Sequence, residues 1–247
     1  MSALGSPRLH LRRTESTNTR ARELAAAGAP HGTLVTAAEQ TAGRGRQGRT
    51  WMAPAGRALL CSLVIRRPPA LLPLAGGIAV AGVVGDDATI KWPNDVLLGD
   101  RKVAGILVEG RPQEGWAVLG IGINVALAEE DFPPDLRPSA GTLGLATGAI
   151  EPTLASLLAG LEHWLRASDD DVRDAFDSRD ALRDREVSWN EGRGRAEGID
   201  RLGRLRVRSA GGDVMTLSAG EVHLLAATPP LRRPRSGASG SGSAGDA

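Results

Sequence analysis

Residues 116–125 constrain the fold more than any other stretch, because they are apolar at nearly every position. A strand that reads this way is buried on both faces, so its sheet needs cover on both sides. With 247 residues the chain is long enough for one good-sized core and a small satellite unit. Further strands are expected at 33–39, 58–65, 89–91, 96–98 and 102–109, with a hairpin turn at Gly99-Asp100. Thr17-Asn18 reads as the cap of a helix that runs to Ala27 and stops at Gly28. The run 71–84, interrupted by glycines and Pro73, reads as a buried helix and is shorter than the ~18 residues a membrane span needs. Helices are also expected at 153–167 and 170–183, where Leu154, Leu157, Leu158, Leu161 and Leu165 keep core spacing.

The pattern changes after residue 184. Short alternating strands at 187–189, 194–199, 205–207, 214–217 and 222–224, separated by glycine turns, read as a small barrel. The expected organisation is 1–184 as a catalytic unit, 185–227 as a C-terminal β unit, and 228–247 as a disordered tail rich in Ser, Gly, Pro and Arg. Residues 128–141, with three prolines and several acids, read as a long irregular loop.

Composition excludes several classes. Hydrophobic content of 41% and charged content of 24% are those of a globular protein. A net charge of +1, from 30 basic and 29 acidic residues, argues against electrostatic capture of nucleic acid or membrane by the whole chain. Residues 1–13 hold no apolar signal core. Cys61 is the one cysteine, so no intrachain disulfide forms, which fits a reducing cytoplasm. Only two of the 30 basic residues are lysine, Lys91 and Lys102, and they share one short segment. Lysine is a compact point charge and arginine a planar fork, so a chain that otherwise uses arginine marks these two positions as special.

Gly43-Arg44-Gly45-Arg46-Gln47-Gly48-Arg49 contains the spacing of a dinucleotide fingerprint and lies one residue from a phosphate-loop pattern. Both need a helix to open at the loop, and Pro54 stands where that helix would establish itself. No acid follows in 59–67 either. What remains is three guanidinium groups spaced by glycines, with backbone N–H groups able to approach one anion, and Trp51 as an apolar wall. In Lys91-Trp92-Pro93-Asn94-Asp95 and the strand after it, the hairpin is expected to make the two lysines neighbours on paired strands. Gly105 inside a strand marks a close approach to the backbone. Asn94 and Asp95 are able to bond a nucleotide or hold Mg²⁺ through a carboxylate. Gly120 and Gly122 leave space for a flat ring, and Asn124 is placed to read adenine.

Glu15-Ser16-Thr17-Asn18, Gln40 with the arginine–glycine loop, Lys91 to Asp95, Arg101 to Glu109 and Gly122-Ile123-Asn124 together resemble the biotin–protein ligase family, over residues 14–225. The resemblance implies an α+β fold: a mixed or antiparallel sheet with helices, like a class II synthetase, plus a small C-terminal SH3-like β-barrel. It implies that biotin and MgATP form biotinyl-5′-AMP, from which biotin passes to a lysine of the biotin carboxyl carrier domain of acyl-CoA or pyruvate carboxylases. Ser16, Thr17, Asn18, Gln40, Gly43, Arg44, Gly45, Arg46, Trp51, Lys102 and Gly105 would then hold biotin. Arg46, Arg49, Lys91, Asn94, Lys102 and Asn124 would hold ATP, and Asp95 would hold Mg²⁺. Lys102, Arg44 and Arg46 would be catalytic. Too few residues precede Glu15 for the DNA-binding domain of some family members, so operator binding is not expected. The same resemblance implies a monomer or a weak ligand-dependent homodimer. Two other readings stay open: a lipoate or octanoate ligase or transferase, and a nucleic-acid-binding module using the arginine loop.

Overall fold

The computed structural model describes residues 4–218, 220 and 222–225. Its main sheet joins seven strands: β1 (Arg8–Leu11), β2 (Leu34–Ala37), β3 (Ala58–Arg66), β4 (Ala88–Lys91), β5 (Asp95–Leu98), β6 (Arg101–Arg111) and β7 (Trp116–Asn124). Their order is β1-β2-β3-β7-β6-β5-β4. The β1–β2 pair is parallel and the others are antiparallel, so the sheet is mixed.

β7 lies at the centre and is covered on both faces, as its apolar run requires. Ala117, Leu119, Ile121 and Ile123 enter the main core with α2 (Leu72–Val84) and α3 (Ile150–Trp164). Trp116 and Val118 point the other way, onto Ala21 and Ala25 of α1 (Thr17–Ala26). α2 is apolar on every side and sits deep: a Cβ on Gly76 would lie 3.1 Å from Leu119.

A second, five-stranded antiparallel sheet follows, made of β8 (Glu186–Trp189), β9 (Gly192–Ile199), β10 (Leu205–Arg208), β11 (Val214–Leu217) and β12 (His223–Leu224), in the order β11-β10-β9-β8-β12. The chain is thus α+β with a small C-terminal β unit. Val187, Ala196, Leu205, Val207 and Val222 of that unit join the same apolar cluster as the main sheet. Trp92 ties the two together by donating its indole N–H to the Gly203 carbonyl at 2.9 Å. The tail 228–247, expected to be disordered, lies outside the described residues.

Three expectations needed correction. β1 was not foreseen, because only four residues alternate there and just two are apolar. The last helix, α4, covers Asp169–Asp177 and does not reach Arg183. Residues 179–181 instead hydrogen-bond to Ile90 on β4, through Ile90 N to Arg179 O at 2.7 Å and Ala181 N to Ile90 O at 3.0 Å. Pairing with a sheet edge outweighs local helix propensity. Ser16 holds the N-cap position of α1, and its hydroxyl makes no capping bond.

Asp180, in this segment, is held where burial and then nearby Asp177 push its carboxyl up to about 6. An unfolded Asp titrates at about 3.9, so the folded state takes up this proton first as pH falls. Asp180 ionisation therefore costs stability above its folded value, and the cost fades as pH drops toward the unfolded value. Asp180→Asn is expected to raise the melting temperature at about pH 8, by roughly half as much at about pH 5, and to change it little near about pH 3. Equal melting of parent and variant at the higher pH would contradict this.

Candidate active site

Side chains at even positions of β3 and β7, and odd positions of β6 near its middle, share the face that α1 covers. Along β7 this face changes from Trp116 and Val118 to Gly120 and Gly122, and a hollow opens. Its neighbours fill part of it. A Cβ on Gly120 would stand 2.0 Å from Asn18 Oδ1, and one on Gly122 would stand 2.6 Å from Trp51 Cε2. Gly105 is paired with Gly122 across β6–β7, and a Cβ there would lie 3.0 Å from Trp51 Cζ3. The flat ring that Gly122 and Gly105 admit is the indole of Trp51, and the space at Gly120 takes the Asn18 amide. Its Nε1–H is buried with no acceptor among the described residues.

A polar rim surrounds the hollow. Ser16, Thr17, Asn18 and Ser62 are buried polar residues. Gln40 Oε1 accepts from the Thr17 backbone N–H at 2.7 Å and from its hydroxyl at 3.0 Å. This amide satisfies an N–H at the start of α1 that the Ser16 hydroxyl leaves alone. Ser62 Oγ contacts Asn18 Oδ1 at 2.6 Å and Thr17 Oγ1 at 2.8 Å. Asn18 Nδ2 donates to Glu109 Oε2 at 2.9 Å, and Arg44 pairs with Glu109 Oε1 at 3.0 Å.

The arginine–glycine loop closes on itself. Gly45 N donates to Arg49 O at 2.7 Å and Trp51 N to Gly43 O at 2.9 Å, around a 3₁₀ turn at Arg46–Gly48. These two N–H groups are spent within the loop and are not offered to an anion. Gly43 serves close packing, since a Cβ there would meet the Trp51 carbonyl at 2.3 Å. The guanidinium groups are what the loop presents. Arg46 donates to Asn94 Oδ1 at 3.1 Å, and Asn94 donates to Ile106 O at 3.1 Å. Burial lowers the Arg46 pKa from its ordinary value, Asp95 acts to raise it and Arg49 to lower it.

Lys102 stands between this hollow and a larger groove. Its Nζ lies 2.7 Å from Asp95 Oδ1 and 5.6 Å from the Trp51 ring centroid. The Asp95 contact is an ion pair lying off hydrogen-bonding angles. The lysine backbone is clamped by the 128–141 loop, with Lys102 N donating to Ser139 O at 2.7 Å and Gly141 N donating to Lys102 O at 2.8 Å. Asn124 is committed to the same clamp, donating to Gly141 O at 2.8 Å. Phe132 anchors the loop against Ala58, Leu60 and Leu127. Lys91 is not on a strand paired with that of Lys102, because β5 lies between β4 and β6 and pairs Lys91 with Asp95.

The groove has a volume of about 700 Å³. Arg49, Lys91, Lys102, Met52, Leu136 and His223 are among its lining. Gly45, Arg49, Trp51 and Lys102 line both groove and hollow, so they form the seam. Cys61 faces the main core, and burial pushes its thiol up to about 12. That thiol is no nucleophile near neutral pH. Sequence reasoning assigned no role to Ser62 or Glu109. The available signal was a polar residue on the hollow-facing parity of an otherwise apolar strand.

Fold and site define a mixed-sheet α+β domain with two compartments that share one lysine. The model of the biotin/lipoate A/B protein ligase family matches residues 10–125. A biotin–[acetyl-CoA-carboxylase] ligase of Paracoccus denitrificans is 35% identical over 82% of this chain and 94% of its own length. The bifunctional ligase/repressor BirA of Bacillus spizizenii is 41% identical over 54% of this chain, which spans 45% of that protein. The solved biotin protein ligase of Aquifex aeolicus, in complex with biotin and ATP, superposes with a TM-score of 0.76 at 27% identity, over 89% of this chain and 99% of the other. The chain belongs to the biotin–protein ligase family.

The seating of Trp51 on Gly122 makes a difference that stability measurements read. Gly122→Ala drives a methyl into the indole and is expected to cost about 1–3 kcal/mol in urea unfolding. Gly82→Ala, in α2 with nothing near its Cβ position, is expected to gain up to about 1 kcal/mol. Equal midpoints for the two variants would show that Trp51 does not rest on Gly122.

Proposed function

We propose that this protein forms biotinyl-5′-AMP from biotin and MgATP and then transfers biotin to a lysine of a biotin carboxyl carrier domain. The observation that carries this reading is Lys102 at the seam of the two compartments. A condensation of two substrates needs a group that both reacting ends meet, and an ammonium there stabilises charge that builds between them.

The hollow suits biotin's ring end. A urea is neutral and wants paired donors and acceptors, which Ser16, Thr17 and Gln40 supply, while Trp51 flanks the hydrocarbon. In this reading Gly43, Gly45 and Gly105 give room, and Asn18 holds the floor. Arg44, Arg46 and Lys102 surround biotin's carboxylate and the α-phosphate. Arg49 and Lys91 meet the triphosphate in the groove, Asn94 contacts the nucleotide from the hollow side beside Arg46, and Asn124 acts through the clamp on Lys102. Magnesium arrives with ATP. Among the described residues no group of three or more His, Cys, Asp or Glu is placed to hold a metal ion. Asp95 and Asp100 are the carboxylates lining the groove. Asp95 is already paired with Lys102, so the phosphate oxygens would be the main holders of the magnesium.

In the first step a biotin carboxylate oxygen attacks the α-phosphorus. The bond to the bridging oxygen breaks, and pyrophosphate leaves. In the second, the carrier lysine, as a free amine, attacks the acyl carbonyl, AMP leaves, and the amine loses its proton. No protein nucleophile is involved, so positioning and charge supply most of the rate. A cytoplasmic setting fits a chain with a single, buried cysteine. Among the described residues no helix is long and apolar enough to cross a membrane.

The test is pyrophosphate release with ATP and either biotin or lipoate, with the adenylate identified by mass. The parent is expected to respond to biotin, and Lys102→Arg to keep its fold while losing most of that release. Adenylation of lipoate alone would overturn the biotin reading. A fully active K102R variant would remove Lys102 from the chemistry.

A further inference from the structure

One acid contacts the rim of the hollow, and its position organises everything polar there. Glu109 sits near the end of β6 with a side chain only 18% exposed. Oε1 pairs with Arg44 at 3.0 Å and meets Arg22 at 3.6 Å, while Oε2 accepts from Asn18. From there a chain of contacts runs through Ser62 and Thr17 to Gln40, which lies a few residues before Arg44. The contacts and the loop together make a closed ring. None of the proposed substrate roles uses Glu109.

We infer that Glu109 is a positioning residue: its carboxylate fixes the donor and acceptor polarity of the substrate-binding rim and the resting place of Arg44. This rests on the proposed biotin-binding role of the hollow. The logic is a count of protons. An ionised carboxylate only accepts, so Asn18 must turn its Nδ2 toward it. Asn18 Oδ1 then faces Ser62 and takes that hydroxyl's single proton. Toward Thr17, the Ser62 oxygen is left to accept Thr17's one hydroxyl proton, in place of the 3.0 Å contact that proton otherwise makes with Gln40 Oε1. Gln40 Oε1 meanwhile stays on the Thr17 backbone N–H, which turns Gln40 Nε2 to the Gly43 side, 3.0 Å from where a Gly43 Cβ would stand. The rim thus offers one defined pattern to a neutral ligand rather than several interchangeable ones.

An amide at position 109 breaks the count, because it can donate as well as accept. Asn18 is then held in its orientation only by the long 3.5 Å bond to the Leu107 carbonyl, Ser62 loses its fixed direction, and Arg44 loses its charged partner. Asn18, Arg44, Ser62 and Glu109 do not line the groove that would take the triphosphate, so ATP binding is expected to change less than biotin binding.

The test is isothermal titration of the full chain with biotin and, separately, with ATP, for the parent and Glu109→Gln. Biotin affinity is expected to fall about tenfold while ATP affinity stays within about twofold, with the cooperative thermal melt retained. Ser62→Ala should weaken biotin in the same direction. Combined with E109Q it should add less than the sum of the two single effects, because both act on one chain. If E109Q melts without cooperativity, Ser62→Ala carries the test alone. Unchanged biotin affinity in E109Q or in Ser62→Ala, or equal losses for biotin and ATP, would overturn the inference. A parent that binds no biotin would instead sink the proposed function on which it rests.

Discussion

The contact of Trp51 with the glycines of β6 and β7 is the constraint on which the site depends. An indole can approach a sheet this closely only where Cβ atoms are missing from facing positions. Gly105 and Gly122 meet that condition in register with each other. Once the ring is seated, it sets the depth of the hollow and gives Lys102 a wall 5.6 Å away. It also fixes where the arginine loop must return, since Trp51 N bonds the Gly43 carbonyl. The loop, the seam and the lysine are therefore one mechanical unit.

Charge in this unit is arranged as neighbours that restrain one another. Lys102 has Asp95, Arg44 has Glu109, and Arg46 has the amide of Asn94. Neutral and anionic partners hold the cations in place at modest energetic gain, because exposed pairs contribute about 0–1 kcal/mol. Their value is geometric: a substrate carboxylate or phosphate meets cations already near their working positions. Burial disfavours the charged Arg46 guanidinium, and the Asp95 carboxylate acts against that effect.

Much of the fold was legible in the sequence because the signals were periodic. The doubly apolar run became β7, and the all-apolar 71–84 run became α2. Segments governed by distant partners were not legible. β1 takes its pairing from β2, and residues 179–181 leave the helical path to pair with Ile90. In the site, Lys102, Gln40, Ser16, Thr17, Trp51 and the arginines do come together around one seam. Gly105 does admit a close approach, as its place in a strand implied, but at Gly120 and Gly122 the sequence shows that space exists and not what fills it. Gly120 admits Asn18 and Gly122 admits Trp51. Glu109 and Ser62 were missed for a related reason: strand parity reveals which face a residue takes only once the register across β3, β7 and β6 is known.

The central claim is that hollow and groove are two halves of one reaction site joined at Lys102. The most direct measurement is a crystal structure with biotin and a non-hydrolysable ATP analogue bound together. The account predicts the ureido ring beside Gln40 and Ser16, the nucleotide in the groove, and the biotin carboxylate and α-phosphate both in contact with the Lys102 ammonium. Biotin bound away from the hollow, or a Lys102 ammonium that touches neither reacting group, would contradict it.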